Sequence, residues 1–317
     1  MKNPLMSRIL VATDFSECAR GAFEYGLDFA RGWSAHVDLL SIVEVLPGIE
    51  FSAPFPDPLV ELRRKESERL LDELADRVKR EPLEVGTHVR QGIPSQEIVR
   101  AVVDLRADLV VVGTHGRTGL DHIMLGSTAE RVIKLSPCPV LTVRSGGIRE
   151  EQKAAPSPRI RHVLTPIDFS SPSLDALEYA VQLVDGFGAE LTLLHVLEPI
   201  YHDLELGLGR IEKEAQKRTH WEAQLDHLAQ VVKERGLAAS STVLGGIPSE
   251  SILACAAGRG CDLIVMGTHG RRGLTRLRYG SVAEAVLRQA RSPVLTVRSP
   301  KFAPGHRRVV PQSMPES

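Results

Sequence analysis

Two glycine-bearing stretches carry the chemistry that the types and spacing of these residues allow. They read Asp108-Leu-Val-Val-Val-Gly-Thr-His-Gly-Arg117 and Asp262-Leu-Ile-Val-Met-Gly-Thr-His-Gly-Arg271. Each continues at the same spacing, Gly113-x2-Gly116-x9-Gly126-Ser127 and Gly267-x2-Gly270-x9-Gly280-Ser281. Glycine brings bare backbone N–H groups close to an anion, and a helix opening at Gly-Ser offers its dipole and first N–H groups to phosphate. A polyphosphate fits that chemistry. The competing explanation is that Ser127 with Glu130, and Ser281 with Glu284, form capping boxes while the glycines only make turns. Recurrence of all three glycines favours the anion site. His115 and His269 lie inside the loops, but no carboxylate or nucleophile stands at a recognisable spacing, so a phosphate or backbone hydrogen bond suits them better than catalysis.

Other chemistries fit less well. There is no Gly-x4-Gly-Lys-Ser/Thr loop and no clustered carboxylates for two metal ions, so the expectation is a protein that is not an enzyme, or at most a slow ATP hydrolase. The pair Gly207-Leu-Gly209 lacks a third glycine and does not follow the first strand, which argues against a dinucleotide oxidoreductase. Asp14 has no accompanying acidic pair, so a phospho-acceptor role rests on analogy alone. Cys18, Cys138, Cys255 and Cys261 form no CxxC and no metal-ligand cluster, so free thiols in a reducing compartment are expected.

The elements that must position these loops come as a duplicate. Asp14-Phe15-Ser16, Gly92-Ile93-Pro94-Ser95 and Pro139-Val-Leu-Thr-Val-Arg144 all recur 154 residues later, as Asp168, Gly246 and Pro293 with their neighbours. A period this long is a whole domain, since each copy can bury its own core. The expected organisation is domain 1 over 1–145, a linker over 146–159, domain 2 over 160–299 and a flexible tail over 300–317. Within each copy, short continuous apolar runs alternate with helical patterns, implying parallel strands buried on both faces. The fold class is therefore α/β, two tandem doubly wound domains, each a five-stranded parallel sheet of order 3-2-1-4-5 with helices on both faces. In such a sheet ligands bind beyond the strand ends where the order reverses. Asp14 (Asp168) follows strand 1 and Gly113 (Gly267) closes strand 4, so both reach one crevice.

With these residues in place, the sequence resembles the universal stress protein family in its ATP-binding branch, over about residues 5–145 and 160–299. The resemblance implies two ATP sites, with Mg2+ or Mn2+ accompanying the nucleotide. Adenine would meet Ile42 and Val112 in the first site, Val196 and Met266 in the second. Ribose and phosphates would lie on Gly113, Gly116, Arg117, Gly126 and Ser127, or on Gly267, Gly270, Arg271, Gly280 and Ser281. Asp14 and Asp168 would bond the nucleoside end or the cation. Ala12 faces Pro166 in the alignment of the copies, and Ser41 faces His195, which points to a different wall for the first site. Arg271, Arg272, Arg276 and Arg278 in the second loop, against Arg117, Asp121 and His122 in the first, suggest that the second attracts triphosphate more strongly.

The implied function is regulatory: occupancy alters partner binding or assembly in a stress response. The protein partner is unknown; an internal pseudo-dimer or a homo-oligomer through the fifth strands at the sheet edges is expected. Nucleic acid is a poor candidate partner, because 39 Lys+Arg balance 40 Asp+Glu and only 8 Phe, 2 Trp and 4 Tyr are available to stack bases. No run approaches the ~18 apolar residues of a membrane span and no secretory leader is evident, so cytoplasm is the expected location.

Overall fold

A computed structural model of the 317-residue chain describes residues 5–44, 58–114, 125–144, 160–198, 208–268, 280–298, 302 and 306–312, with side chains in the sixth helix from residue 215 onward. Two compact units divide at Arg159 and Ile160. In the first, the order is β1 (Arg8–Ala12), α1 (Glu17–Trp33), β2 (His36–Glu44), α2 (Pro58–Val78), β3 (Val85–Gly92), α3 (Pro94–Asp104), β4 (Leu109–Gly113), α4 (Ser127–Leu135) and β5 (Val140–Val143). The second repeats it as β6 (His162–Pro166), α5 (Ser171–Phe187), β7 (Glu190–Leu197), α6 (Leu208–Lys233), β8 (Ala239–Gly245), α7 (Pro248–Gly258), β9 (Leu263–Gly267), α8 (Ser281–Gln289) and β10 (Val294–Val297).

Within the first unit the strands lie β3-β2-β1-β4-β5, and within the second β8-β7-β6-β9-β10, every pair parallel. The doubly wound order read from the sequence is thus observed in both copies. Right-handed crossovers put α1 and α2 on one face, and α3 and α4 on the other; α5 to α8 follow the same rule. Both faces being covered explains the unbroken apolar runs: Ile9 to Val11, Leu109 to Val111 and Leu263 to Val265 are wholly buried. In α2 the buried stripe is Leu71, Ala75 and Val78, with Leu70 and Leu74 half buried beside it. In α6 it is Leu225, Leu228, Ala229 and Val232.

The copies diverge near the amino ends of their sheets. Asp38 on β2 is buried, with Arg8 Nε at 2.9 Å, His88 Nε2 at 2.7 Å and His36 Nε2 at 3.4 Å. Burial alone would raise its pKa, but the His88 hydrogen bond and the positive neighbours His36, Arg8 and His88 outweigh burial and hold the carboxyl low. The matching position of the second copy is Thr192, a neutral partner for His162 (2.7 Å) and Ser240 (3.1 Å).

One expectation is corrected here. The composition of 300–317 reads as a flexible tail, yet residues 306–310 hold defined contacts on α5. Glu178, wholly buried, accepts the backbone N–H groups of Val309 (2.9 Å) and Val310 (2.7 Å) on Oε2, and pairs with His306 Nε2 at 2.7 Å. Arg308 adds an ion pair to Asp175 at 2.5 Å, and Val310 is buried. A carboxylate inside the fold needs donors, and this segment supplies them.

Candidate functional site

Each crevice is built where β1 and β4, or β6 and β9, run side by side and their following loops diverge. Thr13 N bonds Leu40 O at 2.8 Å and Ile167 N bonds Leu194 O at 2.8 Å, so the chain stays on the sheet until just before the acidic residue. Asp14 and Asp168 then open an Asx turn, Oδ1 accepting the N–H of Ser16 or Ser170 at 3.0 Å. Ser16 and Ser170 in turn cap α1 and α5 by accepting from Ala19 N and Ser173 N. Between acid and cap stand Phe15 and Phe169, at φ 66° and 62°, a left-handed conformation costly for a residue with a side chain.

The glycines closing β4 and β9 have a packing reason. A Cβ on Gly267 would lie 2.7 Å from the carbonyl oxygen of Pro172, and one on Gly113 would lie 3.0 Å from Cys18 Sγ and 3.2 Å from Ala19 N. The strand end and the first turn of α1 or α5 are in contact there, so a side chain at Gly267 would force the Pro172 backbone to shift and one at Gly113 would crowd Cys18. Thr114 and Thr268 follow, buried, and accept the N–H of Gly126 (2.8 Å) and Gly280 (2.9 Å). The two ends of each glycine loop are therefore tied together beside the strand end.

Gly126 and Gly280 are the N-caps of α4 and α8, and neither helix has a side-chain cap bond. The capping-box alternative does not describe them: Ser127 and Ser281 are the first helical residues, while Glu130 pairs with Lys134 at 2.5 Å and Glu284 with Arg288 at 2.7 Å. By contrast α1 and α5 carry serine caps. The N-cap glycines of α4 and α8 thus take none of the first-turn N–H donors, the arrangement an anion uses.

Strand register separates the other candidates by face. Ile9 pairs with Leu109 and Ala12 with Leu40, which puts Ala12, Ile42 and Val112 on one face of the first sheet. Pro166, Val196 and Met266 share the equivalent face of the second. Val112 and Met266 are buried, Ile42 and Val196 half-buried. Ser41 and His195 alternate to the opposite face, so the expectation that they vary the same wall as Ala12 and Pro166 is corrected: the period-two pleat sends them behind the sheet. Gly116, Arg117, Gly270, Arg271, His115, His269, Asp121, His122, Arg272, Arg276 and Arg278 fall outside the described residues, and so does the charge comparison between the loops.

One cation escaped the sequence reading. Arg144 follows β5, whose Val143 pairs with Gly113, and burial pushes its pKa down from the ordinary arginine value. The signal was available, because Arg144 and Arg298 both end the repeated Pro-Val-Leu-Thr-Val-Arg segment. Among the described residues no group of three or more His, Cys, Asp or Glu is arranged to hold a metal ion, and no helix is long and apolar enough to cross a membrane. All four cysteines are buried and unbridged.

Comparison with known proteins agrees with the duplicated architecture. The profile of the universal stress protein family matches twice, over residues 6–144 and 159–298. A universal stress protein of Methanocaldococcus jannaschii is 35% identical over 141 residues, covering 44% of this chain and 83% of that protein. One from Mycolicibacterium smegmatis is 26% identical and spans 92% of this chain and 96% of its own length. The crystal structure of a universal stress protein from Archaeoglobus fulgidus DSM 4304 superposes with a TM-score of 0.69 at 22% identity, covering 93% of this chain and 97% of that one. With both copies matched and the fold shared along nearly the whole length, this chain belongs to the universal stress protein family.

Proposed function

We propose that the chain binds adenine nucleotide, ATP with Mg2+ or Mn2+, in both crevices, and that occupancy regulates partner binding or assembly rather than driving an enzymatic reaction. The observation that carries this is the repeated helix start, in which Gly126 and Gly280 cap α4 and α8 without a side-chain bond while each is tied to the strand end through Thr114 or Thr268. Phosphates would take the donors of Ser127 and Ser281, with Arg144 and Arg298 supplying nearby positive charge. The base would lie against Ile42 and Val112, or Val196 and Met266. Asp14 and Asp168 would meet the ribose or a phosphate-borne cation, which would take its other ligands from phosphate and water.

The test is to denature freshly purified protein and quantify released nucleotide, beside a Gly116→Glu/Gly270→Glu double variant whose fold is checked by circular dichroism. ATP or ADP near two per chain, lost in the variant, supports the reading. If none is released and added MgATP does not bind in calorimetry, the loops are scaffolding. Turnover at ordinary enzyme rates, roughly 1–1000 s⁻¹, would overturn the regulatory assignment.

A further inference from the structure

The same acidic turn is held in two different ways. In the first copy the N–H of Phe15 donates to Thr13 Oγ1 at 3.0 Å, a polar brace for the left-handed residue. The second copy has Ile167 where the first has Thr13, so that hydroxyl is missing. Three rings stand in its place. Phe169 stacks on Trp221 of α6 at 4.8 Å between centroids and 27° between planes, and His195 of β7 lies 5.1 Å from Phe169 and 5.0 Å from Trp221. His195 Nδ1 lies 2.7 Å from Ile167 O, and because a carbonyl can only accept, that nitrogen carries the proton.

By the 154-residue offset, the first copy has Ser41 and Ser67 where His195 and Trp221 stand, and Phe15 has no ring partner among the described residues. The brace and the clamp therefore replace each other. Both act on the residue directly after the acid, and His195 does so from the face of the sheet opposite Val196 and Met266. Ser170 Oγ also donates to Asp168 Oδ1 at 2.5 Å, orienting the carboxylate on the same turn.

We infer that Phe169, His195 and Trp221 are positioning residues for Asp168, and that this ring clamp makes the second crevice the more pre-organised, tighter-binding of the two. The affinity part rests on the nucleotide reading above; the positioning part does not. Interlocked rings leave the turn fewer conformations than one hydroxyl contact does, so a ligand that uses the acid loses less freedom on binding.

The experiment uses the full chain with two separate readouts. Replacing the clamp by the first copy's residues, His195→Ser/Trp221→Ser, is expected to speed amide exchange of residues 168–170 by ~10-fold and to weaken the tighter MgATP phase by a comparable factor. Adding Ile167→Thr to that variant installs the polar brace and is expected to restore both. Where the double variant does not fold, His195→Ser is compared with His195→Asn, whose amide N–H can still reach the Ile167 carbonyl; slow exchange should return only with Asn. Exchange at 168–170 that stays at the native rate in the clamp variants, or fails to recover with either rescue, overturns the positioning role. Recovery of exchange with the tighter phase unchanged throughout overturns the affinity difference. Should the unaltered chain bind no nucleotide, the functional proposal and the affinity difference both fall, and the exchange results still decide the clamp.

Discussion

Glu178→Gln tests whether the C-terminal segment is held by a buried charge. The substitution keeps the shape of the side chain and removes its negative charge. Two backbone N–H donors at 2.7 and 2.9 Å and His306 at 2.7 Å meet the carboxylate in a wholly buried place. A hydrogen bond to a charged group contributes about 1.5–3 kcal/mol against about 0.5–1.5 for a neutral one. Each of the two N–H bonds should thus lose about 1 kcal/mol, and the third contact turns an amide toward the imidazole. The sum is about 2–3 kcal/mol, confined to the second unit. In a unit of this size 1 kcal/mol moves a melting midpoint by roughly 2–4 °C, so a drop of about 5–10 °C is expected. The equivalent Glu24 is partly exposed and pairs with Arg77 across the surface, where such a pair contributes about 1 kcal/mol or less. The two tryptophans make the assay local, since Trp33 belongs to α1 and Trp221 to α6. Thermal unfolding of Glu178→Gln in a Trp33→Phe background reports the second unit; Glu24→Gln in Trp221→Phe reports the first. Equal small shifts in the two would refute the reasoning.

Three further outcomes follow from the same geometry. Asp38 is held below its ordinary carboxylate value of 3.8, so its contribution is complete above that value and fades as pH falls beneath it, through the lower folded-state value; Asp38→Asn should destabilise the first unit at pH 7, with the gap to wild type closing in acid when denaturant midpoints are read from Trp33. Gly267→Ala should cost about 1–3 kcal/mol from overpacking on the Pro172 carbonyl, and Gly113→Ala less, because its nearest neighbour is a thiol that can turn; chemical denaturation of each unit measures this. All four cysteines are buried, and burial pushes the Cys255 thiol up; a neutral thiol reagent should therefore find almost none in the native chain and all 4 in denaturant, whereas rapid labelling of the native protein would contradict the packing.

Much of this is legible in the sequence alone. The 154-residue duplication, the strand order and the pairing of β1 with β4 all follow from apolar runs, turn residues and the handedness of parallel crossovers, which are local signals or general rules. The glycine-capped starts of α4 and α8 were readable too, although a capping box at Ser127 and Glu130 competed until the cap was seen on Gly126 and the glutamate on Lys134.

The tertiary structure decided what depends on residues far apart in sequence. The tail has no apolar period, so composition reads it as unfolded, yet its N–H groups satisfy a carboxylate about 130 positions earlier on α5. Gly113 and Gly267 looked like ligand glycines, and the contact with the first turn of α1 or α5 gives them a packing duty as well. His195 was assigned to the crevice wall by alignment of the copies, but the pleat sends it behind the sheet to Trp221. Periodicity tells which face a residue takes within its own element; which residues meet across elements is settled by packing, where one unpaired buried charge or one extra Cβ is enough to exclude an alternative.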